Sequence, residues 1–222
     1  MITRVYFDFC ETLVDIQSAD EFVRYVMRVE RVNMFYRFCL TLLVTKLGSK
    51  ITSKLFSNKF NTKYWALKHL EGVEFEKMEY YSENFSKILK DKFLISSVYE
   101  ELLSYKRQGC EVVIVSGGYD IYISKMFPGI VDKVVATKLN FDGKVFTGEI
   151  DGLDCLSDNK IIMIDKCCGP RSKTSETVVY SDSETDLPLF SLGDKKVVVS
   201  KNIAKKWVLK YESFEEKIWR SN

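Results

Sequence analysis

The sequence predicts an α/β protein with a doubly wound, mostly parallel, Rossmann-like sheet and an inserted all-helical cap subdomain. Short β-branched and aromatic segments alternate with helical segments in the second half of the chain, which favours a parallel sheet covered on both faces. Apolar residues recur three and four positions apart between residues 19 and 92, which indicates consecutive helices. We therefore expect residues 1–15 and 96–222 to form the core and residues 16–95 to form the cap.

The first strand and the cap follow from local pattern. Residues 2–8, ITRVYFD, form a short segment rich in β-branched and aromatic residues, which predicts a strand. Phe22, Tyr25, Val26 and Val29 then begin the helical spacing, and four or five helices are expected before the next strand.

The second half alternates between the two element types. Strand CEVVIVSGG ends in a Ser-Gly-Gly turn, and Asp142 with Gly143 is the expected turn of a hairpin spanning 137–150. Helices are expected at 97–107, 119–126, 158–165, within 184–193 and at 203–222, and further strands at 134–137, 177–182 and 195–200, the last of the sheet.

Composition limits the function classes. The chain has 222 residues with 33 Lys or Arg and 31 Asp or Glu, and a net charge of +2 gives no reason to expect nucleic acid as a partner. The start, MITRVYFDF, becomes charged too early for a signal peptide, so a cytoplasmic protein is expected. The most apolar run, residues 38–47, is shorter than the roughly 20 residues of a membrane span. It is expected to be a buried helix, and contact with a membrane surface or a partner stays open.

The cysteines are expected to be reduced. All six are irregularly spaced in a chain that is not small, which argues against a disulfide framework. There is no CxxC pair and His69 is the only histidine, so no zinc site is expected. The adjacent Cys167 and Cys168 are expected to end a helix, with redox activity as the alternative.

Polar residues end three of the predicted strands. Asp8 ends the first, Ser116 with two glycines ends the second, and Asp182 ends the third, followed by Asp186. Lys160 begins the helix before the third strand. Ligands bind beyond the carboxyl ends of the strands in a doubly wound sheet, so these side chains are expected to share a pocket. Each alone could be a helix cap or a turn residue, but their order on three strands favours a functional site.

These residue types suit phosphoryl transfer. Close carboxylates raise each other's pKa, and Mg²⁺ relieves this while it takes only one or two carboxylates as ligands. Lysine and backbone N–H groups suit phosphate oxygens, and a carboxylate aimed at phosphorus can act as a nucleophile.

The motifs resemble those of the haloacid dehalogenase (HAD) superfamily. The resemblance rests on DFCET from Asp8 to Thr12, VIVSGG around Ser116, Lys160, and YSDSETDLPLF around Asp182. The phosphoserine-phosphatase-like branch, which has a helical cap between the first two motifs, is the most similar. The hairpin LNFDGKVFTGEI also looks like that branch.

The resemblance implies a Mg²⁺-dependent phosphatase that acts on a small phosphorylated metabolite. Asp8 would be the nucleophile, and Mg²⁺ would be held by the carboxylates of Asp8 and Asp182 and the backbone carbonyl of Cys10. Asp186 would support the metal through its waters or through Lys160.

The resemblance also implies a phosphate-binding group. Ser116 and Lys160 would hold phosphate oxygens, Gly117 would allow close backbone approach, and Thr12 would support the turn of the first motif. Gln17 stands where the phosphoserine enzymes have a Glu that binds the substrate amine, which puts phosphoserine itself in doubt.

The first motif departs from the family pattern Asp-x-Asp-Gly/Ser-Thr. Cys10 replaces the second Asp, which is the general acid and base, and Glu11 replaces the small residue. A thiol is a weak acid, so a loss of roughly 10²–10⁴-fold is expected on ordinary phosphate monoesters. Three alternatives stay open: a leaving group that needs no acid, Glu11 taking over, and reversible oxidation of Cys10.

Three functions are therefore weighed. The first is the phosphatase, and the second is a catalytically impaired protein that binds a phosphorylated ligand or a partner, which Cys10 favours. The third is other chemistry on the same scaffold, such as dehalogenation, against which Lys160, Asp182 and Asp186 argue. Arg24 and Arg28 of the cap either face the pocket or lie in solvent and pair with nearby acids. The sequence does not indicate the oligomeric state.

Overall fold

The computed structural model of the chain describes residues 2–30, 62–169 and 176–220. The cap helices that the sequence predicts between residues 31 and 61, including the apolar run 38–47, lie outside the described residues. Elements are numbered below in chain order among the described residues.

The architecture is a seven-stranded sheet, in the spatial order β4-β3-β2-β1-β5-β6-β7. All neighbouring strands are parallel except β3 and β4, which form an antiparallel hairpin. This is the predicted fold class. The strands are β1 Ile2–Phe7, β2 Glu111–Tyr119, β3 Lys133–Asp142, β4 Val145–Asp151, β5 Glu176–Ser181, β6 Lys195–Lys201 and β7 Phe214–Trp219.

Helices cover both faces of the sheet. Two short 3₁₀ segments, Glu184–Asp186 and Lys206–Lys210, lie in the loops after β5 and β6. The helices are α1 Ser18–Val29, α2 Thr62–Lys68, α3 Phe75–Lys92, α4 Ser96–Arg107, α5 Asp120–Met126, α6 Asp158–Cys168 and α7 Leu187–Phe190.

The central strand β1 fixes the position of the site. Val5, Tyr6 and Phe7 are fully buried, and the strand pairs in parallel with β2 on one side and β5 on the other. The chain runs outward from β1 through β2 to β4 and then returns to begin the other half at β5. The carboxyl end of β1 is therefore the switch point at which such sheets bind ligands.

Two hydrophobic clusters stabilise the two faces. The larger one joins Val5 and Phe7 to the apolar faces of α1, α3, α4 and α5, and the smaller one joins Tyr6 and Val113 to α6 and α7. Phe22 of α1 belongs to the larger cluster and lies within 6.0 Å, between ring centroids, of Phe85, Tyr119 and Tyr122. Cap and core helices thus share one cluster. The division of the chain into a core of residues 1–15 and 96–222 and a cap of 16–95 stays a prediction.

The end of the chain differs from the sequence prediction. The predicted helix over residues 203–222 is wrong, because residues 214–219 form strand β7. This strand pairs in parallel with β6, from Lys196↔Phe214 to Lys201↔Trp219. The apolar residues Phe214, Ile218 and Trp219 have helical spacing, but the open backbone edge of β6 provides hydrogen-bond partners for a strand. Tertiary pairing therefore outweighs local pattern, and β6 is not the last strand.

The hairpin forms as predicted, with a shifted turn. Asp142 pairs with Val145, so the two loop residues are Gly143 and Lys144 rather than Asp142 and Gly143. Gly143 has a φ of 58°, which suits glycine. The predicted strand 134–137 and the first arm of the hairpin are one continuous strand, β3.

The structure also bears on the expected state of the cysteines and on membrane-spanning segments. Among the described residues, Cys10, Cys110, Cys155, Cys167 and Cys168 form no disulfide. No helix in the described ranges combines the length and apolarity needed to cross a bilayer.

We expect Phe22→Ala to lower the free energy of unfolding by about 3–5 kcal/mol, because it removes a fully buried ring from the larger cluster. Val29→Ala on the same helix is the control, since Val29 is 44% exposed and its truncation should change stability by less than about 0.5 kcal/mol. Urea unfolding measures both. Similar losses in the two variants would contradict the packing described here.

Candidate active site

The carboxyl ends of β1, β2 and β5 meet around a cavity of about 310 Å³. Asp8 follows β1 directly, Ser116 lies near the end of β2, and Asp182 follows β5 directly. The cavity is lined by Asp8, Cys10, Gln17, Ala19, Asp20, Lys63, Ser116, Gly117, Gly118, Leu156, Lys160, Asp182, Ser183, Thr185 and Asp186. Eight of the nine residues singled out from the sequence are in this set, and the ninth, Thr12, is not.

Lys160 joins the site together. Its Nζ lies 2.7 Å from Oδ1 of Asp8 and 2.7 Å from Oδ2 of Asp186, and all three side chains are buried. Helix α6 carries Lys160 in its first turn and so delivers the ammonium between the ends of β1 and β5. Ser181, the last residue of β5, donates a hydrogen bond of 2.6 Å to Oδ2 of Asp186.

Asp182 has a different lysine partner. Lys205, from the loop after β6, places its Nζ 2.8 Å from Oδ2 of Asp182 and also contacts the Asp182 carbonyl. The backbone N–H of Lys205 donates to Oε1 of Glu216 on β7 at 2.7 Å, which anchors this loop. The unpredicted strand β7 therefore supports the position of a cation beside the site.

Negative charge is in excess here. Burial raises the pKa of Asp8 to about 7, with Asp186 and Asp182 adding to the rise and Lys160 opposing it. Burial also raises the pKa of Asp182, against the effect of Lys205. Burial disfavours the charged form of Lys160, yet the Asp8 and Asp186 carboxylates raise its pKa above the ordinary range. Two lysines thus face three buried carboxylates.

The end of β2 presents polar groups on the other side of the cavity. The β2–β3 register shifts between Ser116 and Tyr119, so Gly117 and Gly118 form an irregular segment. The N–H of Gly118 donates to Oγ of Ser116 at 2.9 Å, which leaves the Ser116 hydroxyl proton available to a ligand. A Cβ on Gly117 would lie 2.3 Å from Cδ2 of Leu156, so a side chain there would displace Leu156 from the cavity wall.

Cys10 is held as a neutral thiol. Its Sγ lies 3.1 Å from Oγ of Ser18 and accepts from the Ser18 N–H at 3.4 Å, and Ser18 Oγ lies 2.7 Å from the hydroxyl of Tyr122. Burial raises the pKa of Cys10 to about 11, and the charge of Asp8 adds to this. Around neutral pH the thiol can only donate a proton weakly and cannot serve as a base.

Two first-motif residues lie outside the cavity. Thr12 is fully buried behind Asp8 and donates a long hydrogen bond of 3.4 Å to its Oδ2, so a phosphate contact from Thr12 has no support in the geometry. Glu11 is exposed and lines a separate surface depression with Asp15 and Lys201. Its φ of 55° lies in the left-handed region, which explains why a small residue such as glycine suits this position. Glu11 is therefore poorly placed to replace the missing acid.

Some of the residues that could contact a substrate line the cavity, and others do not. Gln17 lines the cavity, and so does Thr185, which lies in the loop after β5. Arg24 forms an ion pair with Glu21, and Arg28 is exposed, so neither arginine lines the cavity.

Sequence reasoning missed several residues of this site. The residues are Ser18, Lys63, Tyr122, Asp154 and Lys205. Lys63 lies in the first turn of the short helix α2 and Lys205 lies in the loop after β6, and neither position carries a local sequence signal. Their contacts arise only when distant elements pack together.

The donor set fits a hard divalent cation. Two carboxylates with raised pKa, Asp8 and Asp182, and the backbone carbonyl of Cys10 are oxygen donors of the kind that Mg²⁺ prefers. Within the described parts of the chain, no cluster of three or more His, Cys, Asp or Glu side chains is arranged for metal binding. A site with only two carboxylates in direct contact is the usual arrangement for Mg²⁺.

A family comparison identifies the class of protein to which the chain belongs. The haloacid dehalogenase-like hydrolase family matches residues 5–191, from β1 to just past α7, so the chain belongs to this family of hydrolases. No curated protein matches the sequence.

Solved structures share the fold at low identity. A protein of unknown function from Bordetella pertussis Tohama I has a TM-score of 0.78 and 14% identity, over 97% of this chain and 98% of that one. A phospho-aspartyl intermediate analogue of phosphoserine phosphatase has a TM-score of 0.57 and 22% identity, over 98% and 93%. A phosphoserine phosphohydrolase-like protein from Francisella tularensis subsp. tularensis SCHU S4 has a TM-score of 0.58 and 18% identity, over 96% and 95%.

We expect the stability of the metal-free protein to fall as the pH rises from about 4 to about 7. The folded state keeps a proton on Asp8 up to about pH 7, whereas the unfolded chain releases it near pH 3.8, so folding takes up a proton between these values. Asp8→Asn cannot titrate and should flatten this slope. Urea unfolding with EDTA across this range measures it, and equal slopes in both proteins would contradict the charge balance described here.

Proposed function

We propose that the chain is a Mg²⁺-dependent phosphatase that cleaves a small organic phosphate through an aspartyl-phosphate at Asp8. The observation that carries the proposal is the buried Asp8–Lys160–Asp186 triad, which faces Ser116 and Asp182 across one cavity. A phosphoserine phosphatase of the same fold has been captured with a phospho-aspartyl intermediate analogue, which supports the same use of the first aspartate.

The reaction has two steps. An oxygen of Asp8 attacks phosphorus, the bond to the leaving-group oxygen breaks, and an acyl phosphate forms on Asp8. Water then attacks phosphorus, the acyl-phosphate bond breaks, inorganic phosphate is released, and the Asp8 carboxylate is regenerated. The leaving group needs a proton in the first step unless it is already stable as an anion, and the attacking water must lose one in the second.

Mg²⁺ would be held by the carboxylates of Asp8 and Asp182 and the carbonyl of Cys10, and Asp186 would support the site through its ion pair with Lys160. The ion would neutralise charge on the phosphate and the carboxylates. Lys160 holds Asp8 in place and provides a positive charge for a phosphate oxygen. The Ser116 hydroxyl and the N–H groups of the Gly117–Gly118 segment provide donors on the opposite side.

Cys10 determines which substrates can react. A thiol with a pKa of about 11 is a poor acid for an alkoxide and no base for water, so turnover on alkyl phosphates should be slow. Acyl and aryl phosphates carry leaving groups that need little protonation. We propose that the natural substrate is of this kind, or that the second step is slow. The second candidate function, binding a phosphorylated ligand without efficient turnover, is favoured by the same residue.

The substrate is a small phosphorylated molecule admitted beside the cap. The cavity volume of about 310 Å³ suits a small metabolite, and Gln17, Asp20 and Thr185 surround the space for the leaving group. Gln17 is neutral and cannot form the charge-assisted hydrogen bond that an ammonium group would need, so phosphoserine stays an unfavoured substrate.

We place the protein in the cytoplasm, where reduced thiols such as the described cysteines are usual.

We expect Asp8→Asn to reduce phosphate release from p-nitrophenyl phosphate with Mg²⁺ to the background rate, because an amide is not a nucleophile. Asp91→Asn, an exposed position on α3, is the matched control and should keep the wild-type rate. A colorimetric phosphate assay measures both. Undiminished release by Asp8→Asn, or no activity of the wild type on a broad phosphate panel, would contradict the proposal.

We expect Cys10→Asp to raise the rate on alkyl phosphates by roughly 10²–10⁴-fold, because a carboxyl group can serve as both acid and base. For acyl and aryl phosphates, the gain in the first step, formation of the aspartyl-phosphate, should be much smaller, because their leaving groups need little protonation. Cys10→Ser is the control, since it has similar size but no useful acid. Equal rates for the Asp and Ser variants on an alkyl phosphate would show that position 10 does not limit turnover.

A further inference from the structure

Lys63 lies where the cap meets the phosphate side of the site. It belongs to the first turn of α2, and its Nζ lies 2.7 Å from the carbonyl oxygen of Gly117 on β2. The same ammonium forms an ion pair with Asp154, lies 3.4 Å from Oγ1 of Thr137, and stands 5.3 Å from the ring centroid of Tyr119. One cap side chain thus contacts three separate segments of the core.

The surroundings of Lys63 form a built and buried network. The side chains of Lys63 and Asp154 are 12% and 9% exposed. Thr137 donates to Oδ1 of Asp154 at 2.7 Å and accepts from the N–H of Cys155 at 3.1 Å. A buried lysine of this kind is costly unless several partners satisfy it, which distinguishes it from a lysine on a solvated helix face.

The contact with Gly117 has a consequence for the phosphate side. The Gly117 carbonyl and the Gly118 N–H belong to the same peptide group. Lys63 holds its oxygen, and Ser116 Oγ accepts from its N–H at 2.9 Å. The peptide plane is therefore fixed at both ends. Because Oγ of Ser116 accepts this bond, the Ser116 hydroxyl proton stays available to another acceptor, and Ser116 lines the cavity.

We propose that Lys63 is a positioning residue for phosphate binding: it fixes the Gly117–Gly118 peptide and so aims the Ser116 hydroxyl at the phosphate. This inference rests on the proposed function, because it takes the ligand of Ser116 to be a phosphate. Lys63 acts through the peptide group and not through the reacting atoms.

Lys68 of the same helix provides a matched control. It also joins α2 to the core, since its Nζ lies 3.0 Å from Oε1 of Glu149 and 3.2 Å from the carbonyl of Thr147. Its side chain is 46% exposed, and it is not among the residues that line the cavity. A loss that came only from loosening α2 should appear in both lysine variants.

The test measures the affinity for inorganic phosphate in the presence of Mg²⁺ by isothermal titration calorimetry. Lys63→Met should weaken phosphate binding on the order of tenfold, the effect of misplacing one hydrogen bond to a charged group. Lys68→Met should bind as the wild type does. With p-nitrophenyl phosphate, Lys63→Met should raise KM more than it lowers kcat.

Two further variants separate positioning from stability. Lys63→Met leaves Asp154 as a buried unpaired carboxylate and will lower stability, so Lys63→Met/Asp154→Asn removes both charges. Asp154→Asn alone keeps Oδ1 for Thr137 and keeps the bond from Lys63 to Gly117. It replaces Oδ2, which has no hydrogen-bond partner among the described residues. The double variant should bind phosphate as weakly as Lys63→Met, and Asp154→Asn should bind nearly as well as the wild type.

The outcomes distinguish this inference from the proposed function. Wild-type affinity in Lys63→Met or in the folded double variant overturns the positioning role alone. So does a loss in Asp154→Asn as large as that in Lys63→Met. A wild-type protein that binds no phosphate with Mg²⁺ present overturns the proposed function and the inference together.

Discussion

The burial of three carboxylates at one edge of the sheet is the constraint on which the rest of the structure depends. The order β2-β1-β5 brings Asp8, Asp182 and Asp186 together, and the hydrophobic clusters on both faces keep those strand ends in place. Lys160 and Lys205 neutralise part of this charge, and burial, with a smaller contribution from Asp186 and Asp182, raises the pKa of Asp8 despite Lys160. A site of this kind favours a divalent cation and the phosphate that the cation attracts.

The replacement of the acid by Cys10 changes the balance between the two chemical steps. In the proposed reaction, Asp8 would be the nucleophile of the first step and the lysines would supply positive charge, whereas Cys10 would provide no base to activate water in the second. Ser18 and Tyr122 hold the thiol in a buried network, so its neutrality is a property of the fold around it. In the proposed reaction, the capacity to form an aspartyl-phosphate is therefore separate from the capacity to hydrolyse it quickly.

Local pattern was enough to predict the fold class and to expect that Asp8, Ser116 and Asp182 would lie close together. Asp8 and Asp182 follow apolar strands and Ser116 lies near the end of another, and parallel topology brings these strand ends to one cavity. Strand β7 was missed because its apolar spacing is helical and its conformation depends on the edge of β6. The contacts of Lys63 and Lys205 could not be predicted, because each joins segments that are distant in sequence and gives no periodic signal. The exclusion of Glu11 from the cavity likewise depends on a left-handed backbone that only coordinates reveal.

The most direct test of the central claim is a crystal structure of the protein with Mg²⁺ and beryllium fluoride, which mimics a phosphoryl group bonded to a carboxylate. The account predicts beryllium bonded to a carboxylate oxygen of Asp8, with Mg²⁺ contacting Asp8, Asp182 and the carbonyl of Cys10, and fluorines near Lys160 and Ser116. The claim would be contradicted if crystals saturated with both reagents showed no electron density for Mg²⁺ or beryllium fluoride at Asp8.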